Sequence, residues 1–193
     1  MSYTIRTIPF RRKREGKTDY RKRIKLLMSG KPRLTVRMSL KNIRAQLITF
    51  SEKGDVVVAQ AETKELGQFG WKYPASNTPS GYLLGMLIAK KAKEKGVEEA
   101  ILDIGFRKSV PGSTVFAVLK GAVDGGLNVP HGETVLPKPE RLSGKHIADY
   151  ANALKANGSY EKKFSAYLKA GAKPEDMPKA LEAAKKKLTG AAS

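Results

Sequence analysis

Apolar residues recur at two spacings along this chain: every second position in one region, and every third or fourth in the regions on either side. Between positions 33 and 39, Leu34, Val36 and Met38 alternate with Arg33, Thr35 and Arg37, which predicts a half-buried strand. Residues 43–50 read as a second strand. With Leu40-Lys41 as the turn, paired residue numbers sum to 81, so Leu34 faces Leu47, Val36 faces Ala45 and Met38 faces Ile43 on one side. On the other side Arg37 faces Arg44 and Thr35 faces Gln46. Lys53-Gly54-Asp55 reads as a turn into a third strand over 56–61, completing an antiparallel meander.

Helical spacing flanks the meander. Ile24, Leu27 and Met28 fall at i, i+3 and i+4 within a short helix over 18–29, and Gly30 stops it. Residues 62–77 form an irregular linker carrying Gly67, Gly70, Pro74 and the only tryptophan, Trp71. Asn77 or Thr78 caps a helix with Pro79 in its first turn, running to about Lys95 with Gly96 just beyond its end. Its stripe includes Leu84, Leu87 and Ile88, and Gly81 and Gly85, one turn apart, suit close packing of helix on sheet. Residues 100–106 predict an apolar strand, 110–113 a turn, and 114–125 a second helix with the small residues Ala117, Gly121 and Ala122.

Pro130, Pro137 and Pro139 mark a boundary. Beyond it, helices are expected from Ser143 to about Ala156, over 160–170 and over 178–188. The last two have narrow apolar stripes and many lysines, and read as a tail that docks on something else. The fold class is an α/β sandwich: an antiparallel meander plus β-α-β units, with helices on one face of a mixed sheet and a basic strand face left open. Three parts follow: a basic arm with a short helix over 1–31, an α/β core over 32–129, and a Pro-rich linker with a helical basic extension over 130–193.

Charge sharpens this division. The 193 residues hold 37 Lys or Arg against 18 Asp or Glu, a formal +19. Residues 1–41 hold 14 basic and 2 acidic side chains, net +12; residues 42–136 hold 11 and 10; residues 137–193 hold 12 and 6. A neutral middle therefore carries a basic arm in front and a basic tail behind. Self-repulsion in such an arm adds to the entropy of ordering it, so it is expected to order against a polyanion. No cysteine is present, which removes disulfides, thiol catalysis and cysteine-based zinc sites, and His131 and His146 are too far apart in sequence to favour a metal site. No apolar run reaches the roughly 18–20 residues of a membrane span, and residues 2–10 are too mixed to read as a leader. Gly16-Lys17-Thr18 resembles the end of a phosphate loop, but position 11 is Arg where that motif needs its first Gly.

The chemistry that stands out is basic residues interleaved with planar ones. Phe10-Arg11-Arg12-Lys13-Arg14 and Thr18-Asp19-Tyr20-Arg21-Lys22-Arg23 combine phosphate neutralisation with rings that stack on unpaired bases. Arg37 opposite Arg44 is a repulsive cross-strand pair, worth up to about 1 kcal/mol, which an anion over the sheet would relieve. Asp55 and Asp103 are the one acidic pair to weigh as a Mg²⁺ site for nuclease chemistry, although Asp55 fits a turn and Asp103 a strand.

Several longer segments carry a family likeness. Arg14-Glu15-Gly16-Lys17-Thr18-Asp19-Tyr20, Pro32-Arg33-Leu34-Thr35-Val36-Arg37 and Ala45-Gln46-Leu47-Ile48 resemble the 5S-rRNA-binding family of the large ribosomal subunit, number eighteen in the universal nomenclature. So do Gly81-Tyr82-Leu83-Leu84-Gly85-Met86-Leu87-Ile88-Ala89, Leu102-Asp103-Ile104-Gly105 and the segment from Phe116 to Leu127 followed by Pro130-His131. The basic arm and tail are similar to the archaeal and eukaryotic branch. The resemblance implies a non-enzymatic, cytoplasmic ribosomal protein that holds 5S rRNA at the central protuberance, beside large-subunit (23S-type) rRNA, a second 5S-binding protein and other ribosomal neighbours. It implies no cofactor, Mg²⁺ arriving only with the RNA, and no membrane partner. On this reading Phe10, Arg11, Arg12, Lys13, Arg14, Lys17, Thr18, Tyr20, Arg21 and Arg23 lie along RNA. Arg33, Arg37, Arg44 and Gln46 meet it on the open sheet face, and Lys41-Asn42 reach a groove from the hairpin tip. Gly16 provides a bend, and Asp19 orients Arg21 or Arg23 or matches the helix N-terminus. A non-ribosomal RNA-binding or RNA-chaperone protein is the alternative.

Overall fold

In the computed structural model of the chain, which describes residues 7–156 and 158–190, the alternating segments pair as their periodicity requires. Strands β1 (Arg33–Met38), β2 (Ile43–Ser51) and β3 (Gly54–Glu62) form the meander. Leu34 pairs with Leu47, Val36 with Ala45 and Arg37 with Arg44, in the register set by the short turn. Ser39 closes that turn: its N–H donates to the Asn42 carbonyl at 2.8 Å, and its hydroxyl accepts the Asn42 N–H at 3.0 Å. A register shift between Leu47 and Ile48 leaves Val58 without a partner, so β3 bulges against β2. Strand β4 (Ile101–Asp103) joins parallel to β1, giving the order β3-β2-β1-β4. It is shorter than the expected 100–106. The Asp103 carboxylate accepts the Gly105 N–H at 2.8 Å and Gly105 takes φ 65, which turns the chain out of the sheet.

Ile43, Ala45, Leu47, Leu34, Val36 and Ala61 are fully buried on one face, under helices α3 (Thr78–Glu94) and α4 (Thr114–Asp124). Asn77 caps α3 by accepting the Ser80 N–H at 2.9 Å, with Pro79 in the first turn and Gly96 left-handed beyond the end. The expected mixed sheet with helices on one side is therefore the fold. Residues 63–69 are more regular than a linker: they form a 3-10 turn, with the Glu65 carboxylate accepting the Glu62 N–H at 2.9 Å. Trp71 is buried beside it and donates to the Ser80 hydroxyl at 2.9 Å.

Two expectations about packing are corrected. Gly81 and Gly85 bring α3 against α4, not against the sheet. A Cβ on Gly85 would lie 2.1 Å from the Val118 carbonyl oxygen, and one on Gly121 would lie 2.0 Å from that of Tyr82. The backbones touch because neither helix has a side chain at the crossing. The tail is likewise not left for another molecule. After α5 (Pro139–Ser143), α6 (Lys145–Ala156), α7 (Tyr160–Lys163) and α8 (Ser165–Lys169), helix α9 (Met177–Gly190) buries Met177, Leu181, Ala184 and Leu188 in the same core as α3. Its narrow stripe suffices because the core needs only one more ridge, and the lysines stay outside. The helix expected from Ser143 to about Ala156 is α6, preceded by the short α5 that ends at Gly144, while a break at Phe164 divides the single helix expected over 160–170 into α7 and α8.

Gly85→Ala should lower unfolding free energy by about 3 kcal/mol, because the methyl group has no room unless the helices part. Gly67→Ala, with nothing within 4 Å of its Cβ position, should change it little. Urea denaturation of the two variants compares them.

Candidate nucleic-acid interface

The arm is built around a single cap. The Asp19 carboxylate accepts the N–H groups of Arg21 at 3.1 Å and Lys22 at 3.2 Å, which starts α2 (Tyr20–Leu27). Asp19 is thus the helix cap and does not orient a particular arginine. Before it, α1 (Arg11–Arg14) ends at a bend where Gly16 has φ 63. Phe10 and Tyr20, the two rings expected to stack on bases, lie against each other with centroids 5.2 Å apart. Phe10 remains 71% exposed. Arg12 donates to the Thr18 hydroxyl at 2.8 Å, and Arg11 and Lys17 both pair with Glu15. Lys13, Arg14, Arg21, Lys22 and Lys25 have no ion pair among the described residues.

The second sheet face is not simply open. Arg33 is 3% exposed, and its guanidinium donates to Asp55 at 2.8 Å and to Asp103 at 3.3 Å. The same Asp55 receives a two-pronged contact from Arg23 of α2, both bonds at 2.8 Å, while Asp103 also holds Arg37 at 3.3 Å. The result is an alternating chain, Arg23–Asp55–Arg33–Asp103–Arg37, that ties the arm helix to β3, β1 and β4. The expectation that Arg33 meets RNA on an open face is corrected, because a buried guanidinium clasped by two carboxylates is not offered to solvent. The reason is that the arm crosses back toward this face, so the strand position nearest to it is covered. Arg23, also expected along RNA, spends its planar end on Asp55 as well. The Asp55–Asp103 pair has its charge taken by three arginines, and no cluster of three or more metal-ligating side chains occurs among the described residues. Asp55 itself lies on β3 opposite Phe50, not in the turn.

Arg37 and Arg44 do sit opposite each other, with side chains 50% and 56% exposed. Their repulsion is relieved from within the sheet. Asp103 flanks Arg37 on one side and Glu62 pairs with Arg44 on the other, giving two positive charges between two negative ones. Arg37 is further fixed by its bond to the Asp103 carbonyl at 2.9 Å. Gln46 stands half-buried in the next row and donates to Gln60 at 3.1 Å. Lys41 is exposed at the hairpin tip and Asn42 is half-buried there.

Between arm and sheet lies a cleft of about 530 Å³, whose lining includes Arg12, Lys17, Thr18, Arg37 and Gln46 from the expected set. It also includes Lys22, quoted in the basic motif but not among the expected contacts, and Lys25, Ile48 and Phe106, which the sequence did not single out. The signal for Lys22 and Lys25 was their spacing of three on α2, one turn after Thr18. Phe106 had none, because its place depends on where β4 stops. Arg11, Lys13, Arg14, Tyr20, Arg21, Lys41, Asn42 and Arg44 are outside this cleft. The lining holds seven cationic and three acidic side chains, a net +4. Arg23, and to a lesser degree Arg33, keep the Asp55 carboxyl below the usual carboxylate range, and Asp55 in turn raises Arg23.

A protein-family model described as "Ribosomal large subunit proteins 60S L5, and 50S L18" matches the chain over residues 6–99 and 90–132. The match takes in the arm, the whole sheet, α3 and α4, and stops before α5.

Arg33→Ala should cost about 3 kcal/mol of unfolding free energy in urea, since it takes the buried guanidinium from between two carboxylates and leaves mostly buried Asp103 with Arg37 as its one remaining cation among the described residues. Because the Asp55 pKa is lower folded than unfolded, its stabilisation is complete above about pH 4 and is lost as pH falls through the folded value. Asp55→Asn should accordingly reduce proton uptake on acid unfolding by up to about one proton. Stability measured across pH 2–6 checks this.

Proposed function

As the chain belongs to the family of large-subunit ribosomal proteins 60S L5 and 50S L18, we propose that it binds 5S rRNA and attaches it to the central protuberance of the large subunit. Membership makes it a ribosomal protein, part of the ribonucleoprotein that carries out translation, in a family without catalytic duties. No described helix is long and apolar enough to cross a membrane. The observation that supports the RNA reading is the sorting of charge on the site. Arm cations without ion pairs among the described residues stand beside a positively charged cleft, whereas the arginines of the sheet are matched by carboxylates.

That sorting divides the work of binding. Lys13, Arg14, Arg21, Lys22 and Lys25 release counterions when they meet phosphate, so they supply affinity and its salt dependence. Arg37 and Arg44, already neutralised, add little net charge to an encounter but present fixed hydrogen-bond donors beside Gln46, suited to 2′-hydroxyls and base edges. Lys41 and Asn42 at the hairpin tip extend the same surface. Contacts with 23S-type rRNA, with the second 5S-binding protein and with other ribosomal neighbours belong to this proposal. Mg²⁺ enters it only as a counterion of the RNA. A nuclease reading has no support from the Asp55–Asp103 pair, whose oxygens are occupied by Arg23, Arg33 and Arg37.

Competition between 5S rRNA and tRNA for the full chain tests the assignment. A clear preference for 5S rRNA is expected, and equal affinities would favour a general RNA-binding or chaperone role. With six to ten phosphate contacts, affinity should fall roughly 10³- to 10⁵-fold between 50 and 200 mM salt. Arg14→Ala and Arg21→Ala should each make the salt slope shallower by about one. Arg37→Ala should lower affinity by about 1–3 kcal/mol with the slope nearly unchanged.

A further inference from the structure

The cleft between the arm and the sheet has the form of a pocket for a single residue of a polymer, not of a groove for a duplex. Its volume of about 530 Å³ is within the range of sites that enclose a small organic group. Its floor is polar and half-buried or buried, with Thr35 3% exposed and Gln46 beside it. One wall is Phe106, 55% exposed on a loop that is held at both ends. Gly105 N–H donates to Asp103 at 2.8 Å, and Arg107 donates to the Met38 carbonyl at 3.2 Å. The ring is therefore presented to the cleft by a braced loop and left about half exposed by the described residues.

Open hydrogen-bonding positions complete the pocket. Arg37 uses its two terminal nitrogens on Val36, Asp103 and the Asp103 carbonyl, which leaves its Nε–H as a donor. Gln46 donates to Gln60, which leaves its own side-chain oxygen as an acceptor. Around the mouth stand Lys22, Lys25 and Arg12, which among the described residues have no ion pair, Arg12 donating to the neutral Thr18 hydroxyl. A ring face, a donor and acceptor on the floor, and cations at the mouth match the three parts of a nucleotide: base plane, base edge and phosphate.

We propose that this cleft receives one unpaired nucleotide of the bound RNA, with the base turned in against Phe106, its edge on Gln46 and Arg37, and its phosphate at Arg12, Lys22 and Lys25. The inference rests on the RNA-binding reading and specifies how that site recognises its ligand. A base within a helix cannot enter, because its edge is paired and its faces are covered by neighbours. An extrahelical base brings both to the cleft.

The test uses the full chain and two hairpin RNAs, one carrying a bulged 2-aminopurine and the other the same nucleotide paired. The bulged RNA should bind roughly 5- to 100-fold more tightly, the range of one base stacked on an aromatic ring, and its fluorescence should change on binding. Phe106→Ala should abolish the preference and the fluorescence change while leaving affinity for the paired RNA as it was, and Gln46→Ala should weaken binding of the bulged RNA more than of the paired one and so remove the preference. Both positions are exposed or half-buried, so the paired RNA also reports that the variants are folded. Equal affinity for the two hairpins, or a preference that survives both substitutions, would overturn the proposal. So would saturable binding of adenosine 5′-monophosphate that depends on Phe106 without discrimination between the hairpins, since the pocket would then serve a free nucleotide. A chain that selects 5S rRNA over tRNA but does not discriminate the hairpins loses this inference alone. One that binds neither hairpin nor 5S rRNA loses both.

Discussion

A guanidinium with 4% of its side chain exposed has lost nearly all of its water, and the cost of that loss is met only where carboxylates surround it. Arg33 meets this condition by sitting between Asp55 and Asp103, one on the outer strand of the meander and one on the strand that joins from beyond α3. Neither carboxylate is used up by one cation. Asp55 also takes Arg23 from the arm, and Asp103 also takes Arg37 from the exposed end of β1. The position of the arm, the pairing of β4 and the aim of Arg37 thus follow from one buried charge. Weakening any member leaves the others under-neutralised in a poorly solvated place.

This arrangement separates two kinds of basic residue that look alike in a sequence. Those in the chain of ion pairs, with Arg44 on Glu62, are structural or locally neutral. Those on the outer turns of α1 and α2 keep their full charge in water. Counterion release acts on the second group and not on the first, so the arm attracts a polyanion while the sheet beneath it stays nearly neutral and directional. A surface divided in this way can hold an RNA firmly and still be selective. In the proposed function, affinity and discrimination fall to different residues.

Helix packing on the far side shows the same dependence on what meets what. Gly85 and Gly121 let α3 and α4 touch backbone to backbone, which keeps both helices close enough to cover a small four-stranded sheet. Helix α9 then fills the remaining side of α3 with Met177, Leu181, Ala184 and Leu188. Tyr82 links the three: its hydroxyl donates to Asp124 after α4 begins its last turn, and Lys185 of α9 lies 5.7 Å from its ring centroid. The C-terminal helices belong to the folded unit, even though their composition resembles that of a solvated tail.

The local pattern was enough for the elements and their pairing. Alternation of Leu34, Val36 and Met38 with their neighbours set the faces of β1, and a short turn at Leu40-Lys41 left one register in which they share a side with Leu47, Ala45 and Ile43. Asn77, Pro79 and Gly96 bounded α3, since caps are chosen by backbone groups within a few residues. The strong positive charge of the arm and its order of motifs pointed to an RNA-binding family before any contact was known. What spacing could not express was partnership between distant residues. Arg33 reads the same whether it faces water or two carboxylates, and the difference is made by Asp55 and Asp103, 22 and 70 positions away. Gly85 had no way to announce whether a strand or a helix would press on it, and α9 no way to announce that its own core would cover it. The cleft lined by Phe106 and Gln46 exists only because the arm returns over the sheet. Secondary structure and charge are properties of neighbouring residues, while burial and neutralisation depend on which remote segments the tertiary fold brings together.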